Sequence, residues 1–244
     1  MKFEAPPIVE ASISIDIKNN ESWHEYYMQV VDSIRQNYPI VNERILFEVE
    51  GTIKKEGENT GHESEAKTIK DGFMLSNKED KRYILLSPNT VKITKRKPYK
   101  DWNNIYDEFE NILKTIKDLC SNKNMSYTNP SVIYHNEFFA TIKHTDNLNE
   151  LLNMNISFPD KLPDNLSKAT IQLEMFENDE TIGVEQILES RDDDVSIKIN
   201  ISVSDSYNEY TDINDISDKF KSLRKNKNNI FDVLTTHKAK ETFV

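Results

Sequence analysis

The clearest pattern in the chain lies near its start, where apolar and polar residues alternate from Val9 to Lys18. The odd positions carry Val, Ala and Ile, and the even positions carry Glu, Ser, Asp and Lys. A period of two is typical of a β-strand that is buried on one face only. Pro6 and Pro7 precede it, where a missing backbone N–H removes no hydrogen bond between strands. The pattern predicts a strand, with Glu10 on its polar face.

Two amphipathic helices are predicted in the first half, from Trp23 to Ile34 and from Trp102 to Leu119, because apolar residues recur there at spacings of three and four. Asp101 is a suitable N-cap for the second helix. Between the helices, alternating segments bounded by turn residues predict strands at 45–50, 67–75, 81–86 and 90–95. A polar hairpin loop is predicted from Gly57 to Glu65.

The second half repeats this order in a shorter form. Strands are predicted at 132–139, 169–175, 182–188 and 195–203, with a short helix at 148–152 and a C-terminal helix that begins near Asn214 or Asp215. The order is βαββββα in residues 1–124 and βαβββα in residues 125–244. We therefore expect an α+β fold. Two similar halves, as in a tandem duplication, share one mainly antiparallel curved sheet with helices on one face, in one compact unit.

The composition argues against several classes of protein. Eleven Phe and ten Tyr residues are more than a disordered chain carries. The five glycines form neither G-x-G-x-x-G nor G-x-x-x-x-G-K-(S/T), so a Rossmann or P-loop enzyme is not expected. No apolar run is long enough to span a bilayer, the start lacks a signal-peptide layout, and Cys120 has no second cysteine to pair with. We expect a soluble cytoplasmic protein.

The net charge of −11 is unevenly distributed. Residues 54–100 carry 12 Lys/Arg against 7 Asp/Glu, a net +5; residues 160–218 carry 4 against 16, a net −12; residues 219–240 carry 7 against 1, a net +6. Such blocks are commonly solvated faces of helices and strands. They could also be surfaces of opposite sign that meet within the chain or across a dimer.

Candidates for catalysis or metal binding are few. The five histidines are dispersed and form no H-x-x-x-H or H-E-x-x-H pair, so no zinc site is expected. The triplet at 192–194 follows Glu189 and is the one dense group of carboxylates, but it lies where a hairpin turn is predicted and lacks the D-x-D-x-D-G spacing of a calcium loop. Cys120 ends the apolar stripe of a helix, as a small buried residue would. We expect no catalytic residue, cofactor or metal.

One basic-aromatic segment is a candidate interaction surface. It consists of Lys92, Lys95, Arg96, Lys97 and Lys100, with Tyr99 and Trp102 interleaved. Lysine and arginine could neutralise phosphates while an aromatic ring stacks on a base. The acidic net charge argues against a nucleic acid ligand, and Trp102 fits the apolar stripe of the following helix. Glu10 is predicted to be exposed, or else to pair with a basic residue of block 54–100.

Three segments together resemble a sporadically distributed bacterial family of unknown function. The family is recognised by an N-terminal Pro-Pro-Ile/Leu-Val-Glu strand, a central P-Y-x-x-W motif and a C-terminal helix ending in F-x-x-x-(I/L)-T. The similar segments here are Pro6–Ala11, the strands from Gly72 to Leu86 with Pro98–Trp102, and Asn229–Thr235. The family's R-Y-x-N strand lacks its Arg at Ser126, and Arg224-Lys225-Asn226 stands where the family often has a His. The resemblance implies the architecture but no reaction. The family's patchy distribution is similar to that of genes in phage-defence and toxin–antitoxin islands.

Three functions follow as hypotheses. The first is a non-enzymatic cytoplasmic protein-binding module, such as an accessory or neutralising subunit of a phage-defence or toxin–antitoxin system, which binds another protein or a second copy of itself. The second is a nucleic-acid-binding protein that uses segment 92–102. The third is a metal-dependent hydrolase built on the carboxylates at 192–194.

Overall fold

The computed structural model describes residues 7–19, 27–56, 59–99, 101–120, 125–141, 151–153, 167–191, 194–241 and 243. These residues form ten strands and four helices. The strands are β1 (Ile8–Asn19), β2 (Ile40–Glu56), β3 (Asn59–Asn77), β4 (Arg82–Ser87), β5 (Thr90–Arg96), β6 (Met125–Thr141), β7 (Lys168–Glu177), β8 (Glu180–Arg191), β9 (Asp194–Asp205) and β10 (Glu209–Tyr210). The helices are α1 (Tyr27–Ile34), α2 (Trp102–Leu119), α3 (Ile213–Leu234) and α4 (His237–Glu241).

The described strands join in one curved antiparallel sheet, in the order β2-β3-β4-β5-β1-β6-β9-β8-β7, with β10 paired to β6. This confirms the α+β class. The two halves are arranged alike. In each, the first strand (β1 or β6) lies at the centre of the sheet, and the last long strand (β5 or β9) returns to pair with it. Since β1 also pairs with β6, the two halves share the sheet.

The sheet has one apolar face and one polar face. On the side we call the helix face, buried apolar residues of neighbouring strands lie opposite one another, as Ile13 lies beside Ile93 and Val132 beside Val203. Helix α2 contacts β5, and α3 contacts β6 and β9. On the other side, which we call the open face, the strands carry mainly polar side chains, beginning with Glu10.

Helices α2 and α3 pack against each other as well as against the sheet. Asp101 caps α2 by accepting a hydrogen bond from the backbone N–H of Asn104 at 2.9 Å. The buried stripe of α2 is the predicted one and starts at Trp102. Phe109 meets Phe220 of α3 edge to face, with ring centroids 5.4 Å apart. Ring pairs of this geometry add to the free energy gained from burial alone.

A buried ionic network attaches α3 to the ends of β8 and β9. The Lys219 ammonium lies 2.9 Å from the carboxylate of Glu180 and 3.1 Å from that of Asp205. Both carboxylates are buried. The second oxygen of Glu180 accepts a hydrogen bond from Asn226 at 2.6 Å, and Tyr210 donates to Asp205 at 2.6 Å. Because all five groups have partners, the network can be buried without an uncompensated charge.

Several predicted elements differ from the observed ones. The predicted loop at 57–65 is wrong for residues 59–65, which continue β3 in register with β2, while Gly57 and Glu58 lie outside the described residues. Strand β6 begins seven residues before its predicted start and runs through Pro130, because a β-bulge at Asn129, where φ is +52°, absorbs the break. Residues 148–150 of the predicted short helix lie outside the described residues, and Leu152 forms an isolated bridge with Thr235. The short elements β10 and α4 were not predicted.

Candidate functional site

The sheet divides the basic segment between its two faces. Lys92 and Arg96 lie on the open face of β5, whereas Lys95 lies on the helix face. Lys97 follows the last residue of β5, and Lys100 lies outside the described residues. The five predicted interaction residues are therefore not brought together on one surface by the part of the chain that the structure describes.

Lys95 belongs to a charged cluster at the start of α2. Its ammonium contacts the backbone carbonyl and the carboxylate of Asp80, and Arg82 contacts both Asp80 and Glu108. Burial acts to raise the pKa of Asp80, but the hydrogen bonds from Lys95 and Arg82 outweigh it and lower the pKa below its ordinary value. A cavity of about 200 Å³ lies beside these groups. Because both of its cations hold acidic partners, the cavity offers little excess positive charge to an anion.

Arg96 is also paired. Its Nε donates to the carboxylate of Glu10 at 2.8 Å, and its guanidinium carbon lies 5.1 Å from the centre of the Tyr83 ring. Glu10 thus has a basic partner from block 54–100, which was one of its two predicted environments. Within the described residues, Lys92 and Lys97 have no ion pair. Two of the four described basic residues of this segment therefore already hold acidic partners.

The open face carries a polar row that runs across the sheet. Glu10, His135, Asn200, Glu185 and Gln172 lie opposite one another on β1, β6, β9, β8 and β7. His135 Nδ1 lies 2.8 Å from the amide oxygen of Asn200, Asn200 donates to Glu185 at 2.7 Å, and Gln172 donates to the other Glu185 oxygen at 2.7 Å. The hydrogen bonds from Gln172 and Asn200 lower the pKa of Glu185. The row holds the side chains of this face in one arrangement.

The sequence predicts that the side chains of this row alternate with apolar ones, but not that they align. Alignment depends on the register of five strands, which a single sequence does not specify. No nucleophile contacts His135 in the described network, because its hydrogen-bond partner is the Asn200 amide. Among the described residues the row is a hydrogen-bonded polar surface in which His135 has no nucleophile beside it.

Strand β7 ends the sheet and presents apolar side chains to solvent. Leu173 and Met175 lie opposite Val184 and Ile182, which are buried on the helix face. Their own exposed fractions are 43% and 40%, and that of Phe176, on the open face, is 66%. Among the described residues β7 pairs only with β8, so its outer backbone N–H and C=O groups are unpaired. The core's apolar rows therefore continue onto a strand that no other described element covers.

Part of the acidic block lies at this edge. Glu174, Glu177 and Asp179 lie on β7 or in the turn that follows it, and none of them has an ion pair within the described residues. An open backbone edge, an apolar row and unpaired carboxylates thus occur on one strand. The sequence predicts β7 as a strand, but not its position at the edge, because that position depends on the order of the whole sheet.

The remaining predicted residues lie in structural positions. Trp102 is buried, as its stripe predicts, and stacks on Tyr106 with ring centroids 5.4 Å apart. Cys120 is buried at the end of α2. β8 and β9 form a hairpin that pairs Arg191 with Asp194, while 192 and 193 lie outside the described residues. In the described part of the chain, no group of three or more His, Cys, Asp or Glu residues could hold a metal ion.

No protein-family model, curated protein or solved structure matches the chain. No helix among the described residues is both long and apolar enough to cross a membrane.

Proposed function

We propose that this protein is a non-enzymatic protein-binding module, and that its partner docks on the outer edge of β7. The supporting observation is that the apolar row of the helix face continues onto β7, where Leu173 and Met175 are exposed and, among the described residues, the outer backbone edge has no partner strand. An extended segment of another protein can add to such an edge as a further strand. Backbone hydrogen bonds would supply affinity, and contacts to alternate side chains would supply specificity.

The chemistry of β7 indicates which kind of segment would bind. An added strand would place every second side chain over Leu173 and Met175, so these positions should be apolar. The intervening side chains would lie on the open face beside the carboxylate of Glu174, whereas Glu177 follows Leu173 and Met175 on the helix face. The proposed partner is therefore an extended segment in which apolar residues alternate with Lys or Arg. Complementary charge of this kind speeds association and fixes the register.

The other end of the sheet is a poorer docking edge. Ile45 and Leu46 of β2 are exposed, but they are adjacent in sequence and so point to opposite faces. Nearby charges on this hairpin are already paired, as Arg44 is with Asp71 at 2.9 Å and Lys70 with Glu43 at 3.2 Å. Ile45 therefore provides a matched control for a substitution on β7.

A cytoplasmic accessory or neutralising role follows from the same proposal. A module with a preformed edge could hold an exposed strand of another subunit, which would prevent that subunit from acting or aggregating. The resemblance to a family with patchy distribution supports a phage-defence or toxin–antitoxin setting. The partner would then be encoded in the same genetic neighbourhood.

The test is affinity purification of the tagged protein from its natural host after nuclease treatment, with Leu173→Glu compared with Ile45→Glu. Both residues are exposed, so both variants should fold, and their melting temperatures should lie close to that of the unmodified protein. We expect one co-purified protein, identified by mass spectrometry and rebuilt from purified components. The amount of this protein recovered should fall by about tenfold or more with Leu173→Glu and should be unchanged with Ile45→Glu.

Equal retention by the two variants would contradict docking at β7. If the species lost is a second copy of this chain, detected as a dimer by light scattering, β7 remains the edge and the partner is the protein itself. If nucleic acid co-purifies as the main ligand in spite of the nuclease treatment, the result would instead favour the hypothesis that segment 92–102 binds nucleic acid.

A further inference from the structure

Arg224 and Lys227 lie one turn apart on α3 and direct their cationic groups onto aromatic rings. The guanidinium carbon of Arg224 lies 5.2 Å from the centre of the Trp102 ring, and the ammonium of Lys227 lies 3.6 Å from the centre of the Tyr134 ring. Lys227 is only 6% exposed. Within the described residues neither cation has a hydrogen bond or an ion pair.

The Tyr134 ring that Lys227 contacts carries one hydroxyl of a hydrogen-bonded pair. The hydroxyl oxygens of Tyr99 and Tyr134 are 2.7 Å apart, so one hydroxyl donates to the other. The hydroxyl that accepts keeps its own proton, and no acceptor for that proton lies among the described residues. The electrostatic field of Arg224 reaches both tyrosines and acts to lower the pKa of each, although burial raises both. Guanidinium, ammonium and hydroxyl therefore form a group of donors without an acceptor.

The carboxylate of Asp232 does not supply the missing charge. Asp232 influences Lys227 electrostatically, but its carboxylate is held by Lys240 at 3.0 Å. Burying an ammonium without an anion is unfavourable, and a cation–π contact offsets only part of the lost hydration. Burial, followed by the field of Arg224, lowers the pKa of Lys227 to about 7. Within the part of the chain that the structure describes, the cations of Arg224 and Lys227 therefore have no anionic partner.

We infer that Arg224, Lys227 and the Tyr99–Tyr134 hydroxyl pair bind an oxyanion, a carboxylate or phosphate group carried by a ligand. The anion accepts hydrogen bonds from the guanidinium, the ammonium and the free hydroxyl proton, and these charge-assisted bonds are the strongest that side chains offer. The site is separate from the docking edge, since Tyr134 lies on β6 and two strands, β9 and β8, stand between β6 and β7. This inference does not depend on the proposed function.

Anion binding should take up a proton. A bound anion favours the charged form of Lys227 and raises its pKa, so binding is tighter below neutral pH and weakens as the pH rises. The charged and titratable groups that face Lys227 are Arg224 and Asp232 on α3, Tyr134 on β6 and, through their hydroxyl bond, Tyr99 before α2. Burial lowers the pKa of Lys227 to about 7 and raises that of Tyr99 to about 12, so between these two Lys227 is the group that titrates near neutrality.

The test is calorimetry and thermal melting of the purified protein with inorganic phosphate and, separately, with acetate. Sodium chloride holds the ionic strength constant. At least one of the two anions should bind and raise the melting temperature at about pH 6, and should bind more weakly at about pH 8.5. The anion that binds more tightly identifies the ligand group as a phosphate or a carboxylate.

Variants on α3 locate the site. Lys227→Met fills the same space without the charge, and Arg224→Met removes the second cation, so each should weaken anion binding by about tenfold or more. Lys225→Met, on the exposed side of the same helix, should bind like the unmodified protein. The inference is overturned if neither anion binds better than chloride, or if Lys227→Met and Arg224→Met bind as tightly as Lys225→Met.

Discussion

Lys227 shows how one residue can set the response of this protein to pH. It reaches the Tyr134 ring from the middle of α3 and is almost fully buried. Its folded-state pKa is about 7, compared with an ordinary value of 10.5, mainly because burial disfavours the charged form. Between these two values the unfolded chain holds a proton that the folded chain has released. The free energy of unfolding must then rise with pH across this window.

Replacing Lys227 with Met should remove that rise. A one-unit difference in pKa corresponds to about 1.4 kcal/mol, so the unmodified protein should gain roughly 1–3 kcal/mol more than Lys227→Met between about pH 7 and pH 9. Urea unfolding of both proteins in chloride buffer measures the two free energies at each pH. Parallel pH profiles would show that Lys227 keeps its ordinary pKa in the folded state.

The sequence predicts part of the environment of Lys227. Phe220, Leu223, Lys227 and Phe231 follow helical spacing, so Lys227 occupies a position of the buried stripe of α3. However, a lysine in such a stripe can extend its ammonium to solvent. Only the packing of α3 on β6 shows that the ammonium contacts the Tyr134 ring instead.

At the scale of elements, α3 is held by its ionic network as well as by its apolar stripe. Burial acts to raise the pKa of Asp205, but its hydrogen bonds from Tyr210, Asn208, the Tyr207 backbone and Lys219 outweigh this and lower the pKa well below its ordinary value. The carboxylate therefore stabilises the fold above its ordinary pKa of 3.8, and this contribution is lost as the pH falls below that value.

Removing the cation of this network should be far more damaging than removing an exposed one. Lys219→Met leaves Glu180 and Asp205 buried without their shared cation and should reduce the free energy of unfolding by roughly 3–5 kcal/mol. Lys221 is the matched control on the same helix, since its pair with Asp218 is exposed and should contribute less than about 1 kcal/mol. Denaturant melts of the two variants measure the difference, and similar losses would contradict the network's role.

The sequence predicts whether a segment is a helix or a strand better than it predicts which other elements the segment will contact. The alternation of Ile171, Leu173 and Met175 on β7 is as regular as that of Ile197, Ile199 and Ile201 on β9, yet β9 is central and β7 is at the edge. The alternation of apolar and polar residues predicts the face of the sheet on which a side chain lies. The order of the strands depends instead on pairing between residues that are far apart in the chain. The docking edge could not be located without the sheet.

At the scale of the whole molecule, some charges of the blocks are paired within the chain. Lys95 and Arg96 of the first basic block pair with Asp80 and Glu10, and Lys219 of the second joins two carboxylates of the acidic block. The opposite-sign surfaces anticipated from the sequence thus meet in part inside the molecule. The remaining net charge of −11 would repel a polyanion.

The unmodified protein should therefore not retain nucleic acid. Fluorescence anisotropy with random-sequence single- and double-stranded oligonucleotides should show no binding at low salt, where contacts to phosphate are strongest. Dissociation constants on the order of micromolar at physiological salt, weakened by Lys92→Glu and Lys97→Glu, would contradict this expectation and favour the nucleic-acid hypothesis.

Site-specific photocrosslinking in the natural host tests docking at β7 most directly. A photoreactive phenylalanine analogue replaces Phe176 on β7 or Tyr207 after β9, two aromatic residues with nearly equal exposed fractions of 66% and 67%. A partner strand added to β7 lies within reach of position 176 and outside the reach of position 207. The account predicts one specific crosslinked protein from position 176 and none from position 207. A crosslink from position 207 alone, or from neither position while the partner still co-purifies, would place the docking surface elsewhere.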